Sequence, residues 1–322
     1  MSRILCVFWH RINPDSANGD IGGNPTRSIF RAQVRYLAEN YTPISIFDFL
    51  RIIECGRTRQ TFNRAPVLLG FDDGFKSIVR DGVPVLIEFG APAVFFVMGE
   101  SLLNPAFVPW FLEIRHIVRK AEQRQVTINN VEFDLDVEQD RQKLGRILRT
   151  ELRACRIETK RQQLLGEFAS RMRVRRPTAS ELDEDLQLAD RHDLGALARS
   201  SVLTVASHAM SHRYLDSLSD AEQALELRES DAVLRQYCPS YCPVIAYPSG
   251  SFNRATTNIA RDVYKAGFGV VAGCSHRDRY AYPRVGLEAS RERELPYILS
   301  SIRLDWLLPL KRMLNAAGLH RE

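Results

Sequence analysis

Asp72 and Asp73 stand side by side in the hexapeptide GFDDGF, residues 70–75, directly after the apolar run Val67-Leu68-Leu69. Two carboxylates that close repel one another, and the end of an apolar strand solvates them poorly. Asp-Gly by itself is an ordinary turn pair, so the two acids gain chemical meaning only from what else the chain supplies. It supplies SHAMSH at 207–212, in which His208 and His212 lie four residues apart. On a helix or a helix-like turn this spacing puts both imidazoles on one side, within reach of one ion; alone it also describes two unrelated side chains. One added carboxylate completes a catalytic-type zinc site, three protein ligands with a position left for water. With Asp73 as that ligand, Asp72 stays beside the metal. One carboxylate is then neutralised by the cation, while the other remains basic enough to take a proton from water. An Asp-His-His set accepts several first-row divalent cations, and Zn2+ is the expected one.

These groups need elements to hold them. Short apolar runs at 4–9, 67–71, 93–97, 202–206, 244–247 and 269–272 read as strands, alternating with helical patterns at 26–40, 45–55, 76–89, 219–236 and 254–266. Such alternation implies crossover connections and a mostly parallel sheet. Asp72-Asp73 follow strand 67–71, Ser207-His208 follow 202–206, Pro248-Ser249-Gly250 follow 244–247, and His10 follows 4–9. In parallel α/β folds the carboxyl ends of the strands gather at one face and build the active site. Residues 101–200 interrupt the alternation with polar, charge-rich, helix-like sequence that offers a strand only at 126–133. The chain therefore reads as a single domain over 1–322 with a helical insertion at about 101–200 and a carboxyl-terminal helix at about 292–317. The NGDIGGNP stretch at 18–25 reads as a surface loop.

The 322 residues are 45% hydrophobic and 26% charged, enough to bury a sizeable core. The first apolar stretch is short, follows one Arg and lacks a small-residue cleavage site, so it does not read as a signal peptide. No run approaches the ~18 apolar residues needed to cross a bilayer. Cysteines at 6, 55, 155, 238, 242 and 274 form neither a disulfide framework nor a paired CxxC zinc site. A reducing, cytoplasmic location is expected. The net charge of +5 is uneven, with 12 Lys and Arg against 3 Glu between 141 and 176. Leu144, Ile147, Leu148 and Leu152 recur there at helical spacing, which reads as amphipathic helices with a solvated basic face. The other reading is an anionic partner: a membrane surface, a phosphate-bearing substrate or nucleic acid. The leucine-rich segment 302–314, with Arg303, Lys311 and Arg312, either docks onto the domain or, with the basic insertion, makes a peripheral contact with an anionic membrane face. A nucleic-acid partner is not expected, since it would explain the basic run but not the cluster at the strand ends.

FDDG, then HxxxH, then YPxG after a strand resembles the NodB-homology polysaccharide deacetylases, metal-dependent hydrolases that remove N- or O-acyl groups from sugars. The leading ILCVFWHRI, followed by FRAQVRYLAENYTPISIFDFL, is similar to the subgroup that begins with a strand and Tyr-His-Arg-Ile/Val. The resemblance covers residues 3–100 and 200–286. It implies an α/β fold, a distorted and incomplete (β/α) barrel of the NodB type with the helical insertion near its mouth. It also implies Asp72 as catalytic base, Asp73, His208 and His212 as holders of one divalent metal, and the backbone N–H of Ser249 as oxyanion donor. The implied reaction is hydrolysis of an acyl amide, expected to be N-acetyl, on an amino sugar of a polysaccharide or its precursor. A lipid-linked sugar substrate, deformylation, or a non-catalytic glycan-binding relative are the alternatives, and the presence of Asp72 argues against the last.

The chain departs from the family pattern in three places. Ala209 stands where the family has Ser or Thr, so a loop-orienting hydrogen bond is missing. Ala246-Tyr247-Pro248-Ser249 replaces Arg-x-Pro-Tyr, so the Arg that steadies the catalytic Asp must come from elsewhere. Arg284, in YPRVG, is the candidate, and a surface salt bridge is its other possible role. The late strand that ends in a catalytic histidine is not evident. His276 lies in the polar run SHRDRY, whereas His10 follows the strand ILCVFW and is the preferred general acid. Phe107, Trp110 and Phe111 in the insertion either line a substrate groove or pack in a core.

Overall fold

All six residues of Pro66–Phe71 are buried, as expected of a strand covered on both faces in a parallel sheet. The computed structural model describes residues 4–15, 23–55, 62–197, 201–270, 278–287, 294–296 and 298–299. In chain order its elements are β1 (Leu5–Trp9), α1 (Arg27–Asn40), β2 (Thr42–Pro43), α2 (Ile46–Cys55), β3 (Pro66–Phe71) and a π-helical turn (Ile78–Gly82) leading into α3 (Val83–Glu88). Next come β4 (Ala93–Val97), α4 (Glu100–Leu103), α5 (Trp110–Arg119), β5 (Gln125–Ile128), β6 (Val131–Asp134), α6 (Glu138–Ala154), α7 (Glu158–Arg171) and α8 (Arg191–Leu197). The chain closes with β7 (Leu203–Ser207), α9 (Asp220–Tyr237), β8 (Tyr241–Ala246), α10 (Arg254–Val263), β9 (Ala266–Gly269), β10 (Tyr282–Pro283) and β11 (Val285–Gly286).

The main sheet runs β10-β9-β8-β7-β4-β3-β1-β11, with β2 beside β3, and its strands pair in parallel. β10 and β11 occupy opposite ends of this path, yet only Arg284 separates them in the chain. The sheet therefore curls until its edges nearly meet. The Tyr282 hydroxyl, which accepts from the Ile4 N–H at 3.0 Å, ties β10 to the start of β1. The result is the expected distorted (β/α) barrel. Strand residues alternate between two cores: Cys6, Leu68, Val94, Phe96, Ala206 and Phe268 pack with Ile46 and Phe49 of α2, while Val7, Leu69, Phe95 and Val205 pack with Phe30 and Val34 of α1.

Several elements sit where the periodicity places them; others shift. The last expected strand lies earlier, at Ala266–Gly269, because α10 ends at Val263 and Tyr264 turns extended; 271–272 lie outside the described residues. The insertion is not wholly helical. The stretch expected as a strand at 126–133 is a hairpin, β5–β6, turned at Asn129-Asn130 with φ of 50° and 62°, the two left-handed residues that a tight hairpin requires. Leu144, Leu148 and Leu152 of α6 are buried as their spacing implies, in an insertion core with Trp110, Ile114, Phe133, Leu165 and Phe168. After α7 the chain returns to the barrel beside the DDG turn, where Lys76 N donates to Gln187 O at 2.9 Å and Ala189 N to Gly74 O at 2.8 Å. The expected terminal helix at 292–317 lies outside the described residues save 294–296 and 298–299, as do segment 302–314, His276 and residues 18–22. Among the described residues no helix is long and apolar enough to cross a membrane.

Candidate functional site

β3 stops because the chain reverses. Asp72 N–H donates to the Trp9 carbonyl at 2.9 Å, and Asp73 and Gly74 then adopt φ of 70° and 77°. Glycine takes this left-handed conformation freely, whereas for Asp73 it stores on the order of 1 kcal/mol. The turn sends the adjacent carboxylates to different partners. Asp73 Oδ1 lies 3.2 Å from His208 Nε2 and 3.3 Å from His212 Nε2, and all three residues are buried.

The histidines reach this point from a loop and not from a helix, which corrects the expected geometry. β7 ends at Ser207, and left-handed turns at Ala209 (φ 59°) and His212 (φ 60°) bring the two rings to a centroid separation of 5.1 Å. His208 Nδ1 lies 2.8 Å from the Ala246 carbonyl. A carbonyl only accepts, so Nδ1 carries the proton and the Nε2 lone pair faces Asp73. Burial lowers the pKa of His212 despite the opposing pull of Asp73, which favours the neutral ring. Two imidazole lone pairs and a carboxylate oxygen would repel unless positive charge lay among them. Asp73 Oδ1 accepts no well-formed hydrogen bond, and the three ligand atoms lie within 4.8 Å of one another. These residues fit a divalent cation, being neutral His and ionised Asp in a buried cluster.

Asp72 turns the other way. Arg284 donates from Nη1 and Nη2 to its two carboxylate oxygens at 2.7 and 2.8 Å, and both residues are 3% exposed. The guanidinium stacks on Phe8 and Phe96, 4.5 and 5.1 Å from the ring centroids. This is no surface salt bridge, and the alternative role for Arg284 falls. Gly70 explains the first glycine of GFDDGF. A Cβ there would stand 3.2 Å from the Phe96 ring and 3.8 Å from Arg284 Nη1, so a side chain would crowd the path of the guanidinium. Burial alone would push the Asp72 pKa up; the Arg284 charge and its hydrogen bonds hold it below the usual carboxylate value.

One cleft of about 600 Å³ is lined by Asp72, Asp73, His208, His212, His10 and Ser249. Ser249 sits there with φ 53° in the turn Pro248–Gly250, and His10 Nε2 lies 3.9 Å from Asp73 Oδ2 with its side chain 37% exposed. Trp110 and Phe111 of α5 also line the cleft, the Phe111 ring 4.8 Å from that of His212. Both pack in or against the insertion core as well, so groove and core are one surface here. Phe107 is not among the lining residues.

The sequence profile described as polysaccharide deacetylase matches residues 59–266, which span both the DDG turn and the histidine loop. The chain belongs to the polysaccharide deacetylase family. Within that family it is 32% identical over 103 residues to the poly-beta-1,6-N-acetyl-D-glucosamine N-deacetylase of Escherichia coli strain K12, a match covering 32% of this chain and 15% of that protein. Among solved structures, the Streptococcus pyogenes deacetylase PplD in complex with acetate superposes with a TM-score of 0.58 at 16% identity, over 92% of this chain and 97% of that one. IcaB from Ammonifex degensii gives a TM-score of 0.55 at 15% identity, over 93% and 97% of the two chains. At such identities the likeness is one of fold, and it agrees with the barrel expected from the motifs.

The cleft also holds residues that the sequence pattern did not single out. The hydrogen bond lost with Ala209 has substitutes: Ser207 Oγ accepts from Ala209 N at 3.1 Å, and Glu226 of α9 accepts from Met210 N at 3.1 Å, Ser211 N at 3.0 Å and Ser211 Oγ at 2.5 Å. A signal existed in α9, where Glu226 shares the buried stripe of Gln223, Leu227, Ser230 and Leu234. An acid on an apolar face needs a partner, and the histidine loop supplies it. The arginines of α5 and α6 that line the cleft, Arg115, Arg146, Arg149 and Arg153, were also missed as site residues.

Proposed function

We propose that this chain hydrolyses the acyl amide, N-acetyl in the first instance, of an amino sugar within a polysaccharide or its precursor, using one divalent cation held by Asp73, His208 and His212. The observation that carries the reading is the division of the paired carboxylates, Asp73 toward the two histidines and Asp72 toward Arg284. A cation there, zinc as the first choice, supplies Lewis acidity that lowers the pKa of a water and polarises the acyl carbonyl. Asp72 remains ionised at neutral pH and takes the proton from the attacking water through a lone pair that Arg284 leaves open. The Ser249 N–H, in a turn fixed by Pro248, donates to the oxyanion of the tetrahedral adduct. His10, at the cleft and partly exposed, returns a proton to the departing amine. Five described cysteines, Cys6, Cys55, Cys155, Cys238 and Cys242, are free thiols, which supports a reducing, cytoplasmic location; cell fractionation tests it.

The deciding experiment combines metal analysis of the purified chain with acetate release from a β-1,6-linked N-acetylglucosamine oligomer and formate release from its N-formyl analogue. Stoichiometric divalent metal and metal-dependent acid release are expected. A metal-loaded chain that releases neither acid from any acylated amino sugar would overturn the proposal.

A further inference from the structure

The two histidines of the cluster are held differently. His208 gives its Nδ1 proton to the Ala246 carbonyl at 2.8 Å, a bond that fixes both tautomer and ring. His212 makes no such bond: its Nδ1 is buried and meets no hydrogen-bond partner among the described residues. A histidine that ligates a metal ordinarily anchors its second nitrogen in this way, so the His212 ring has to be oriented by what packs on it. Its backbone needs support as well, since a φ of 60° is a left-handed conformation that persists only where the surroundings impose it.

The insertion supplies the packing. The Phe111 ring of α5 stands 4.8 Å from the His212 ring, tilted by 57°, whereas the His208 ring lies 5.1 Å away. Phe111 packs at once against the barrel core and the insertion core, and the Trp110 ring meets it edge-on at 5.9 Å. A second hold lies two residues beyond His212. Tyr214 is buried within the insertion core, and the guanidinium carbons of Arg156 and Arg161 lie 4.4 and 4.8 Å from its ring centroid. Arg161 is itself buried and fixed, donating to the Leu152 and Cys155 carbonyls at 3.2 and 2.6 Å. Arg156 also pairs with Asp216, further along the same loop. The Tyr214 hydroxyl is buried without a hydrogen-bond partner, so the ring and not the hydroxyl makes the contact. The barrel holds the flanks of His212: Glu226 accepts from the amides of Met210 and Ser211, and Glu222 accepts from Arg213 Nη2 at 2.9 Å.

We propose that the insertion positions the second histidine: Phe111 sets the His212 ring, and Tyr214, held by Arg156 and Arg161, sets the loop that presents it. This rests on the divalent-cation reading above and gives the insertion a role in metal affinity besides lining the cleft. Phe111 and Tyr214 are positioning residues, acting through His212.

Chelator competition for Zn2+ on the metal-free, full-length chain tests this, with His212→Ala as the reference for a lost ligand. Phe111→Ala and Tyr214→Leu each lower zinc affinity about 10-fold or more, the loss expected when the support of a metal ligand is removed. Phe111→Tyr and Tyr214→Phe, which keep the rings, bring the affinity back to near the wild-type value. Phe111→Leu fills much of the same space without an aromatic face; it binds zinc more weakly than wild type and serves if the Ala variant does not fold. Ile52→Ala, in the core beneath α2, lowers stability in urea and leaves zinc affinity unchanged, which separates positioning from a weakened fold. Wild-type affinity in Phe111→Leu overturns the positioning of the ring, and in Tyr214→Leu that of the loop. A loss in Ile52→Ala equal to theirs overturns both. In each of these cases zinc binding that needs His212 leaves the metal reading standing, whereas a wild-type chain that binds no zinc removes that reading itself.

Discussion

Arg284 grips both oxygens of Asp72, at 2.7 and 2.8 Å, from a position 212 residues further along the chain. The pair closes the barrel chemically as well as structurally, because Arg284 is the residue between the two edge strands β10 and β11. It keeps Asp72 charged beside the cluster of Asp73, His208 and His212, with its two oxygens in one orientation. Arg284→Lys keeps the charge but loses the fork, and acetate release should fall about 10- to 100-fold. Arg284→Met leaves a buried carboxylate alone and should cost about 3–5 kcal/mol in denaturant unfolding. Unchanged rate and stability in both variants would remove Arg284 from the site.

The two aspartates separate by substitution. Asp72→Asn should retain metal while losing about a hundredfold or more in rate, as for removal of a general base. Asp73→Asn should lose metal first. Metal content measured on both variants decides, and equal metal loss contradicts the division of roles.

Glu226 holds the loop that carries His208 and His212. With Glu226→Ala the amides of Met210 and Ser211 lose their acceptor, and metal affinity should drop about 10- to 100-fold with rate recovering at saturating metal. Glu226→Gln, which keeps an acceptor for the two amides, should restore most of the affinity. A chelator competition titration gives both numbers; identical affinities in wild type and Ala variant would reduce Glu226 to a packing role.

Asp185 ties the insertion to the barrel, accepting from Arg11 at 2.5 Å and from Arg119 at 2.8 Å. Burial raises its pKa, but the Arg119 hydrogen bonds and the charges of Arg11 and Arg119 win, and the carboxyl titrates below the usual value. A depressed pKa means that the stabilisation is present above the ordinary carboxylate value and lost as pH falls through the lower, folded one. Asp185→Asn should therefore cost about 1–2 kcal/mol at pH 7, after discount for partial exposure. In urea titrations the difference between variant and wild type should close as pH drops below the ordinary Asp range. A difference that persists or grows in acid would contradict the assignment.

What the sequence alone determined is the local chemistry and the elements that carry it. A metal needs His and Asp, a base needs a spare carboxylate, and parallel strands put their carboxyl ends at one face, so Asp72, Asp73, His208, His212, Ser249 and His10 could all be named from type and position along the chain. Their convergence in one cleft follows the strand order. The tertiary structure decided what depends on distant partners or on backbone sign. HxxxH reads as a helical spacing, but left-handed φ at Ala209 and His212 does the same work in a loop, and periodicity cannot register a single reversed dihedral. Arg284 was a choice between site and surface in the sequence, and burial at 3% removes the surface role. Glu226 and the arginines of α6 were legible as residues on helix faces, yet which face meets the metal loop or the cleft is fixed by how whole helices pack. That packing is set by contacts between residues far apart in the chain, and no local pattern encodes it.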